Sequence, residues 1–96
     1  MTNQQHKFLI HETDDYVGVA TTPIEGGEKV VGINMKNDAQ VNLVANDYIP
    51  LGHKISLVDL DSNQSVIEYG VQVGLTTTKW EKGDYVHTHN IKTARW

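Results

Sequence analysis

The segment Ile49-Pro50-Leu51-Gly52-His53-Lys54-Ile55 decides the fold, because it places a glycine midway between two apolar residues. Three further segments share this apolar-x-x-turn-x-x-apolar form: 24–30, 60–66 and 80–86, centred on Gly27, Asn63 and Gly83. At positive φ glycine meets no steric penalty, and asparagine is the next most tolerant residue. We therefore expect four tight turns that each join two strands, with the central residue at positive φ.

The residues outside these turns have the composition of β-strands. Val, Ile and Thr far outnumber Ala and Leu, and β-branched side chains pack well on a pleated sheet but lose rotamer freedom in a helix. No segment has apolar residues at helical spacing over about ten residues, although Leu57–Leu60 leaves one helical turn open. The predicted strands are 7–11, 16–20, 29–35, 39–44, 53–58, 65–69, 71–75 and 85–91. Because the turns are unevenly spaced, unlike solenoid repeats, we expect a mainly β domain of short bent strands with little helix.

Length and charge limit the classes of function. The 96 residues predict one domain, 7–96, after a flexible N-terminus, 1–6. A net charge of −4 disfavours nucleic acid and anionic membranes as partners, since both attract basic surfaces. Without cysteine, disulfides and thiolate metal sites cannot form. No apolar run approaches the ~18 residues of a membrane span, so we expect a cytoplasmic protein.

The polar segment His87-Thr88-His89-Asn90 is the main candidate for chemistry. In a strand, residues two apart point to the same face, so His87 and His89 would project side by side. Two imidazoles at this spacing can share a metal ion or bind a carboxylate. A metal needs a third ligand, for which the available donors are His11, Asp14, Asp15 and His53. The alternative is a pair of surface histidines on an edge strand.

Other segments carry weaker signals. His53-Lys54 follows the turn at Gly52 and could bind a carboxylate or sulfonate, or could be a solvated strand start. His11-Glu12-Thr13-Asp14-Asp15 mixes nitrogen and oxygen ligands suited to a divalent ion, but Asp also favours hairpin turns. Tyr69 could donate its hydroxyl to a ligand or belong to the core. Trp80 is predicted in the core, and Trp96 is expected to fold back or to dock on a partner.

The order of these segments resembles the antifreeze-protein-like SAF domain at the start of altronate and galactarate dehydratases. The similar stretches are 11–19, 47–57, 66–70 and 83–90, and the resemblance extends over residues 7–96. The 49–55 segment combined with Val86-His87-Thr88-His89-Asn90 is fairly specific, and 89–96 is similar to the free-standing small subunits of (2R)-sulfolactate sulfo-lyases. Asn63 replaces the glycine that is usual in the third turn.

The resemblance implies a β-clip fold and a small subunit of a heteromeric carbon–oxygen or carbon–sulfur lyase. In the fused dehydratases a much larger catalytic region follows the SAF domain, whereas this sequence ends shortly after Asn90. The similarity therefore implies a separate large catalytic subunit, and a chain that is inactive by itself.

On this basis we expect His87 and His89 to be catalytic. The residues expected to bind or orient a small hydroxy-acid substrate are His53, Lys54, Tyr69 and Asn90. A divalent metal, iron(II) by the resemblance, would be held by His11, Asp15, His87 and His89. Two other classes stay open: a stand-alone module that binds a small anion or sugar acid, and a purely structural subunit.

Overall fold

The computed structural model describes residues 6–68 and 71–93, and within these ranges the chain consists of strands and turns without a helix. Its strands there are β1 (His6–Ile10), β2 (Val17–Ala20), β3 (Lys29–Asn34), β4 (Gln40–Val44), β5 (Lys54–Ser56), β6 (Ser65–Glu68), β7 (Val71–Thr76), β8 (Tyr85–Val86) and β9 (Ile91–Thr93). The mainly β class is confirmed. In the described part of the chain, no helix is long or apolar enough to cross a membrane.

The strands form two sheets. The larger has the order β4-β3-β1-β2-β5-β8, and its strand pairs are antiparallel except for β1 with β3. The smaller has the order β6-β7-β9 and is antiparallel. In pairing order β5 and β8 end the larger sheet on one side and β3 and β4 on the other. The Asn46 N–H nevertheless donates to the Gly83 carbonyl at 2.9 Å, so the segment after β4 meets the turn before β8.

The four predicted turns are confirmed by their backbone angles. Gly27, Gly52, Asn63 and Gly83 have φ of 85°, 83°, 61° and 97°. The backbone N–H of each donates over 2.7–2.8 Å to a carbonyl on a neighbouring segment, namely Ala45, Ala20, Thr76 and Ser56 respectively. These bonds join every turn to a neighbouring segment of the chain. The sequence repeat therefore corresponds to a repeated structural unit.

The turns also associate in pairs. Ile24 forms an antiparallel bridge with Ile49, and Leu60 forms one with Trp80. These four residues are the first apolar positions of the four turn segments, so the repeat places equivalent positions against each other. The unit that builds the fold is therefore a pair of turns rather than one turn.

In three of the turns, the residue after the central residue bonds the turn backbone through its side chain. Its side chain accepts a hydrogen bond from the backbone N–H three residues earlier: Glu28 from Glu25 (3.0 Å), Gln64 from Asp61 (2.8 Å) and Asp84 from Glu81 (2.8 Å). Such local bonds satisfy a turn N–H that no strand pairs. Hydrogen bonds from Lys7 and from this backbone N–H lower the pKa of Glu28. The second turn, centred on Gly52, has no such bond, because the residue at the donor position is Pro50.

Two apolar clusters form the core. The first contains Phe8, Ile10, Ala20, Ile24, Val30, Leu43, Ala45, Ile49 and Ile55, and the second contains Val17, Val66, Trp80 and Val86. Trp80 is fully buried, which confirms its predicted core position. Phe8 fits between β2 and β3 because Gly18 and Gly32 leave its ring room; a Cβ on Gly32 would lie only 2.0 Å from that ring.

Most predicted strand boundaries differ by one or two residues in the described structure. β1 begins at His6, one residue before the predicted strand, while the division into a terminus and one domain stays a prediction. The predicted strand 53–58 ends at Ser56, and Leu57–Leu60 is not helical. The Ser56 hydroxyl donates to the Val58 carbonyl at 2.7 Å, and such local side-chain bonds compete with strand pairing.

Candidate active site

The pairing of β5 with β8 explains why His53 meets His87. The two strands are antiparallel, with Lys54 opposite Val86 and Ile55 opposite Tyr85. One step further in this register brings His53 opposite His87, and directly opposed residues lie within side-chain reach. Their ring centroids are 6.0 Å apart and the rings are stacked at 23°. His53 and His87, which are 34 positions apart in the sequence, thus become neighbours through the pairing of two short strands.

His87 and His89 are neighbours for a different reason than the sequence suggested. The predicted strand 85–91 is wrong, because β8 ends at Val86 and a turn occupies residues 87–90. The Asn90 N–H donates to the His87 carbonyl at 2.9 Å, which closes this turn. The two imidazole centroids still lie 6.0 Å apart, so the turn brings the rings together without strand alternation.

Asn90 holds this turn in place. Its side-chain oxygen accepts from the His87 backbone N–H at 2.9 Å, and its amide nitrogen donates to the Tyr85 carbonyl at 2.7 Å. Its carbonyl accepts from the Trp80 indole N–H at 2.8 Å, and the residue is buried. Both ends of the Asn90 side chain therefore bond backbone, which orients the segment that carries the two histidines.

Four rings form the group that we name the imidazole cluster: His53, Tyr85, His87 and His89. Tyr85 lies in the middle, with centroid distances of 5.6 Å to His53, 5.3 Å to His87 and 6.1 Å to His89. The three histidines are exposed, whereas Tyr85 is half-buried and packs against the first core cluster. The cluster is thus an open, polar surface with a fixed aromatic centre.

Tyr85 was missed among the candidate site residues. Its hydroxyl lies 2.7 Å from His53 Nδ1. The spacing Tyr85-x-His87-x-His89 was the available signal, because a strand interpretation would have put all three rings on one face.

The second turn explains why the His53 side chain is available to the cluster. His53 follows Gly52 as Glu28, Gln64 and Asp84 follow the central residues of the other turns. Its N–H donates to the Pro50 carbonyl at 3.1 Å, and the N–H groups of Glu28 and Asp84 likewise donate to the carbonyls three residues before them. The residue three before it is Pro50, which has no N–H to donate. The turn therefore requires no bond from the His53 side chain, which contacts Tyr85 instead.

Lys54 is directed away from the cluster. Because neighbouring side chains in a strand point to opposite faces, Lys54 shares a face with Val86 rather than with Tyr85. Its ammonium donates to Glu68 at 2.7 Å, where Glu68 is 4% exposed and Lys54 is 44% exposed. The pair links β5 in the larger sheet to β6 in the smaller one. The structure separates Lys54 from His53, its expected partner in binding an acidic group.

Lys54→Met is expected to lower the free energy of unfolding by about 1–3 kcal/mol, because it leaves the Glu68 carboxylate buried without its partner. Lys54→Met/Glu68→Met should recover most of this loss, since replacing both partners by apolar groups is close to neutral. Urea unfolding of the purified chain measures both variants. Lys36→Met is the control: its pair with Glu12 is exposed and longer, at 3.6 Å, so we expect a change below about 0.5 kcal/mol. Equal losses in the two single variants would contradict this role.

His11 and Asp15, the predicted metal ligands in the first hairpin, lie away from the imidazole cluster. In the β2–β5 pair, Val17 is opposite Ser56 and Val19 is opposite Lys54, so the hairpin before Val17 and the His53 position are at opposite ends of β2. Asp15 is buried, and its carboxylate accepts from the Glu12 N–H at 3.2 Å. Within 6–68 and 71–93, no group of three or more His, Asp or Glu side chains is arranged to hold a metal ion. The ligand set with His11 and Asp15 stays a prediction, and Tyr69 and Trp96 lie outside the described residues.

Comparison with known proteins covers nearly the whole chain. The family model for the altronate/galactarate dehydratase SAF domain matches residues 6–94. The (2R)-sulfolactate sulfo-lyase subunit alpha of Chromohalobacter salexigens is 38% identical over 90 residues, which cover 93% of this chain and 96% of that relative. The subunit of the same name from Paracoccus pantotrophus is 40% identical over 60 residues, or 62% of this chain and 90% of the relative.

The third relative is a much longer protein. Altronate dehydratase of Bacillus subtilis is 31% identical over 84 residues, which cover 88% of this chain but only 16% of the dehydratase. The same domain thus occurs as a subunit and as a small part of a larger enzyme. The resemblance noted in the sequence is confirmed, and the chain belongs to the family of altronate/galactarate dehydratase SAF domains.

Proposed function

We propose that this chain is the small subunit of a heteromeric lyase that performs β-elimination on a small hydroxy acid. Relatives of its own length are sulfolactate sulfo-lyase subunits, and the domain also occurs in a dehydratase. The imidazole cluster, in which three exposed histidines surround Tyr85, is the observation that supports a contribution of this chain to the active site. The substrate would be sulfolactate or a sugar acid such as altronate or galactarate.

The reaction moves one proton and one leaving group. A base takes a proton from the carbon next to the one that carries the leaving group, and the C–H electron pair becomes a carbon–carbon double bond. The bond to the leaving group breaks with its electrons, releasing sulfite from a carbon–sulfur bond or hydroxide from a carbon–oxygen bond. Hydroxide then takes a proton and leaves as water. An imidazole can serve either proton transfer.

The cluster residues divide these tasks. His87 and His89 are assigned to proton transfer, because both rings are exposed and lie on a turn that Asn90 holds rigid. His53 is assigned to the acidic group of the substrate, as an imidazole N–H donor. Lys54 is replaced in this role, because Glu68 already binds its ammonium. Asn90 orients the turn.

The iron(II) that the resemblance implies fits this chain incompletely. His87 and His89 are close enough to act together, but the described residues contain no three-ligand group. Any metal at this cluster would therefore need donors from the large subunit. The roles given to this chain are those of its own imidazoles and hydroxyls.

A large catalytic subunit is the expected partner, and it would cover the imidazole cluster. Leu51 is 61% exposed, and it lies two residues before His53 on the second turn. An apolar side chain in the buried centre of an interface adds contact area beside the polar site residues. The small subunit would then contribute one wall of a pocket between the two chains.

We expect the chain to co-purify with the large subunit of a dehydratase-type lyase, and the complex to convert sulfolactate, altronate or galactarate. Leu51→Asp should weaken co-purification at least about tenfold, since it buries a charge in the interface. Met35→Asp is the control: Met35 is 56% exposed, but its N–H donates to the Ile10 carbonyl beside the first hairpin, at the other end of β2 from His53. Pull-down and a coupled assay measure both.

The outcomes separate the alternatives. A complex without activity on any hydroxy acid would contradict the lyase role. Calorimetry that detects tight binding of a hydroxy acid by the isolated chain would favour a stand-alone binding module. Equal effects of the two Asp variants on assembly would contradict an interface at the imidazole cluster.

A further inference from the structure

Tyr85 is held more firmly than the histidine that it contacts. Its ring packs against the first core cluster, and its backbone N–H donates to the Asp47 carboxylate at 3.1 Å. Its carbonyl accepts from the Asn90 side chain at 2.7 Å. The His53 ring, in contrast, is exposed. A contact between them therefore fixes His53 rather than Tyr85.

The contact joins the Tyr85 hydroxyl to one particular nitrogen of His53. The distance from the hydroxyl oxygen to Nδ1 is 2.7 Å, which is a normal length for a strong hydrogen bond. A tyrosine hydroxyl carries one proton to donate, and a neutral imidazole has one nitrogen that accepts. When Tyr85 donates to Nδ1, the imidazole proton must be on Nε2, because the bonding of one nitrogen sets the state of the other.

Pro50 keeps Nδ1 available for this contact. In the fourth turn the Asp84 carboxylate, whose oxygens lie as many bonds from the backbone as Nδ1 does in histidine, accepts from the Glu81 N–H at 2.8 Å. An N–H at position 50 would offer His53 the same bond. Proline removes that donor, so Nδ1 is left for Tyr85.

We infer that Tyr85 is a positioning residue, which holds neutral His53 in the Nε2–H tautomer so that Nε2–H donates to the acidic group of the substrate. This inference rests on the proposed function for the identity of the substrate. The tautomer itself is a property of the chain without substrate. Nδ1 is occupied by Tyr85, so Nε2 is the nitrogen that remains for a carboxylate or sulfonate oxygen.

The direct test is the two-bond ¹H–¹⁵N correlation spectrum of the histidines in the purified 96-residue chain, recorded well above the ordinary imidazole pKa. In the wild type, His53 should show one tautomer, with the proton on Nε2. In Tyr85→Phe, which removes only the hydroxyl, His53 should show an average of both tautomers. Tyr48→Phe, an exposed tyrosine outside the cluster, should leave the His53 signals unchanged. A proton on Nδ1 in the wild type, or an unchanged spectrum in Tyr85→Phe, would overturn the inference.

Pro50→Ala tests the second part. It restores an N–H that can compete for Nδ1, so His53 should keep its tautomer but lose most of its ring-to-ring nuclear Overhauser contacts with Tyr85. Unchanged contacts would refute the role of Pro50. In the lyase complex, Tyr85→Phe should raise the KM for the acidic substrate about fivefold, the effect of one hydrogen bond. An inactive wild-type complex would contradict the proposed function and leave the tautomer result standing.

Discussion

The double variant His87→Ala/His89→Ala is expected to lower kcat of the reconstituted lyase at least about a hundredfold, the usual contribution of positioned acid–base groups. Both rings are exposed, so their removal leaves no cavity in either core cluster. The turn that carries them is closed by backbone and Asn90 bonds that do not involve the imidazoles. The variant should therefore keep the circular dichroism spectrum and melting temperature of the wild type.

His6→Ala is the matched control, because His6 lies in β1, which β2 and β5 separate from β8 in the larger sheet. This variant should retain full activity. Full activity in the double variant would instead remove His87 and His89 from the site. If the double variant lost co-purification but kept its kcat at saturating concentration, the chain would be a structural subunit.

The turns could be predicted from sequence because positive φ is a local property. Gly27, Gly52 and Gly83 are permitted there by the absence of a Cβ, and Asn63 is tolerated for its short polar side chain. All four lie at positive φ. No knowledge of the partner segment was needed to identify them, since the constraint acts within one residue.

The site could be predicted only in part, because its contacts depend on strand register. His53 and His87 meet because Lys54 pairs with Val86, and no local pattern specifies that register. Glu68 was not identified as the partner of Lys54, since they lie on different sheets.

The error at residues 85–91 has a local cause. The segment has the alternation of a strand, but Asn90 bonds the His87 N–H and the Tyr85 carbonyl. Asn side chains commonly bond nearby backbone in this way and compete with sheet pairing. The rings of His87 and His89 nevertheless stay close, so the expectation of two neighbouring imidazoles is met by a different backbone conformation.

Gly83→Ala is expected to destabilise the domain by roughly 3–4 kcal/mol, the largest loss among the turn glycines. Part of the cost is backbone strain, about 1–2 kcal/mol for a Cβ in the left-handed region, since φ is 97°. The other part is steric. A Cβ at this position would lie 2.2 Å from the Val44 carbonyl oxygen, and relieving such an overlap costs about 1–3 kcal/mol.

Gly52→Ala is the matched control, because it shares the strain without the clash. Its φ is 83°, and nothing lies within 4 Å of a Cβ built there, so we expect a loss of roughly 1–2 kcal/mol. For a domain of this size each kcal/mol lowers the melting temperature by about 4–8 °C. Gly83→Ala should therefore melt roughly 12–32 °C below the wild type, against about 4–16 °C for Gly52→Ala. Equal melting temperatures in calorimetry would show that the Val44 carbonyl moves aside at little cost. Wild-type stability for Gly83→Ala would contradict the strained turn itself, and with it the close approach of the fourth turn to the Val44 backbone.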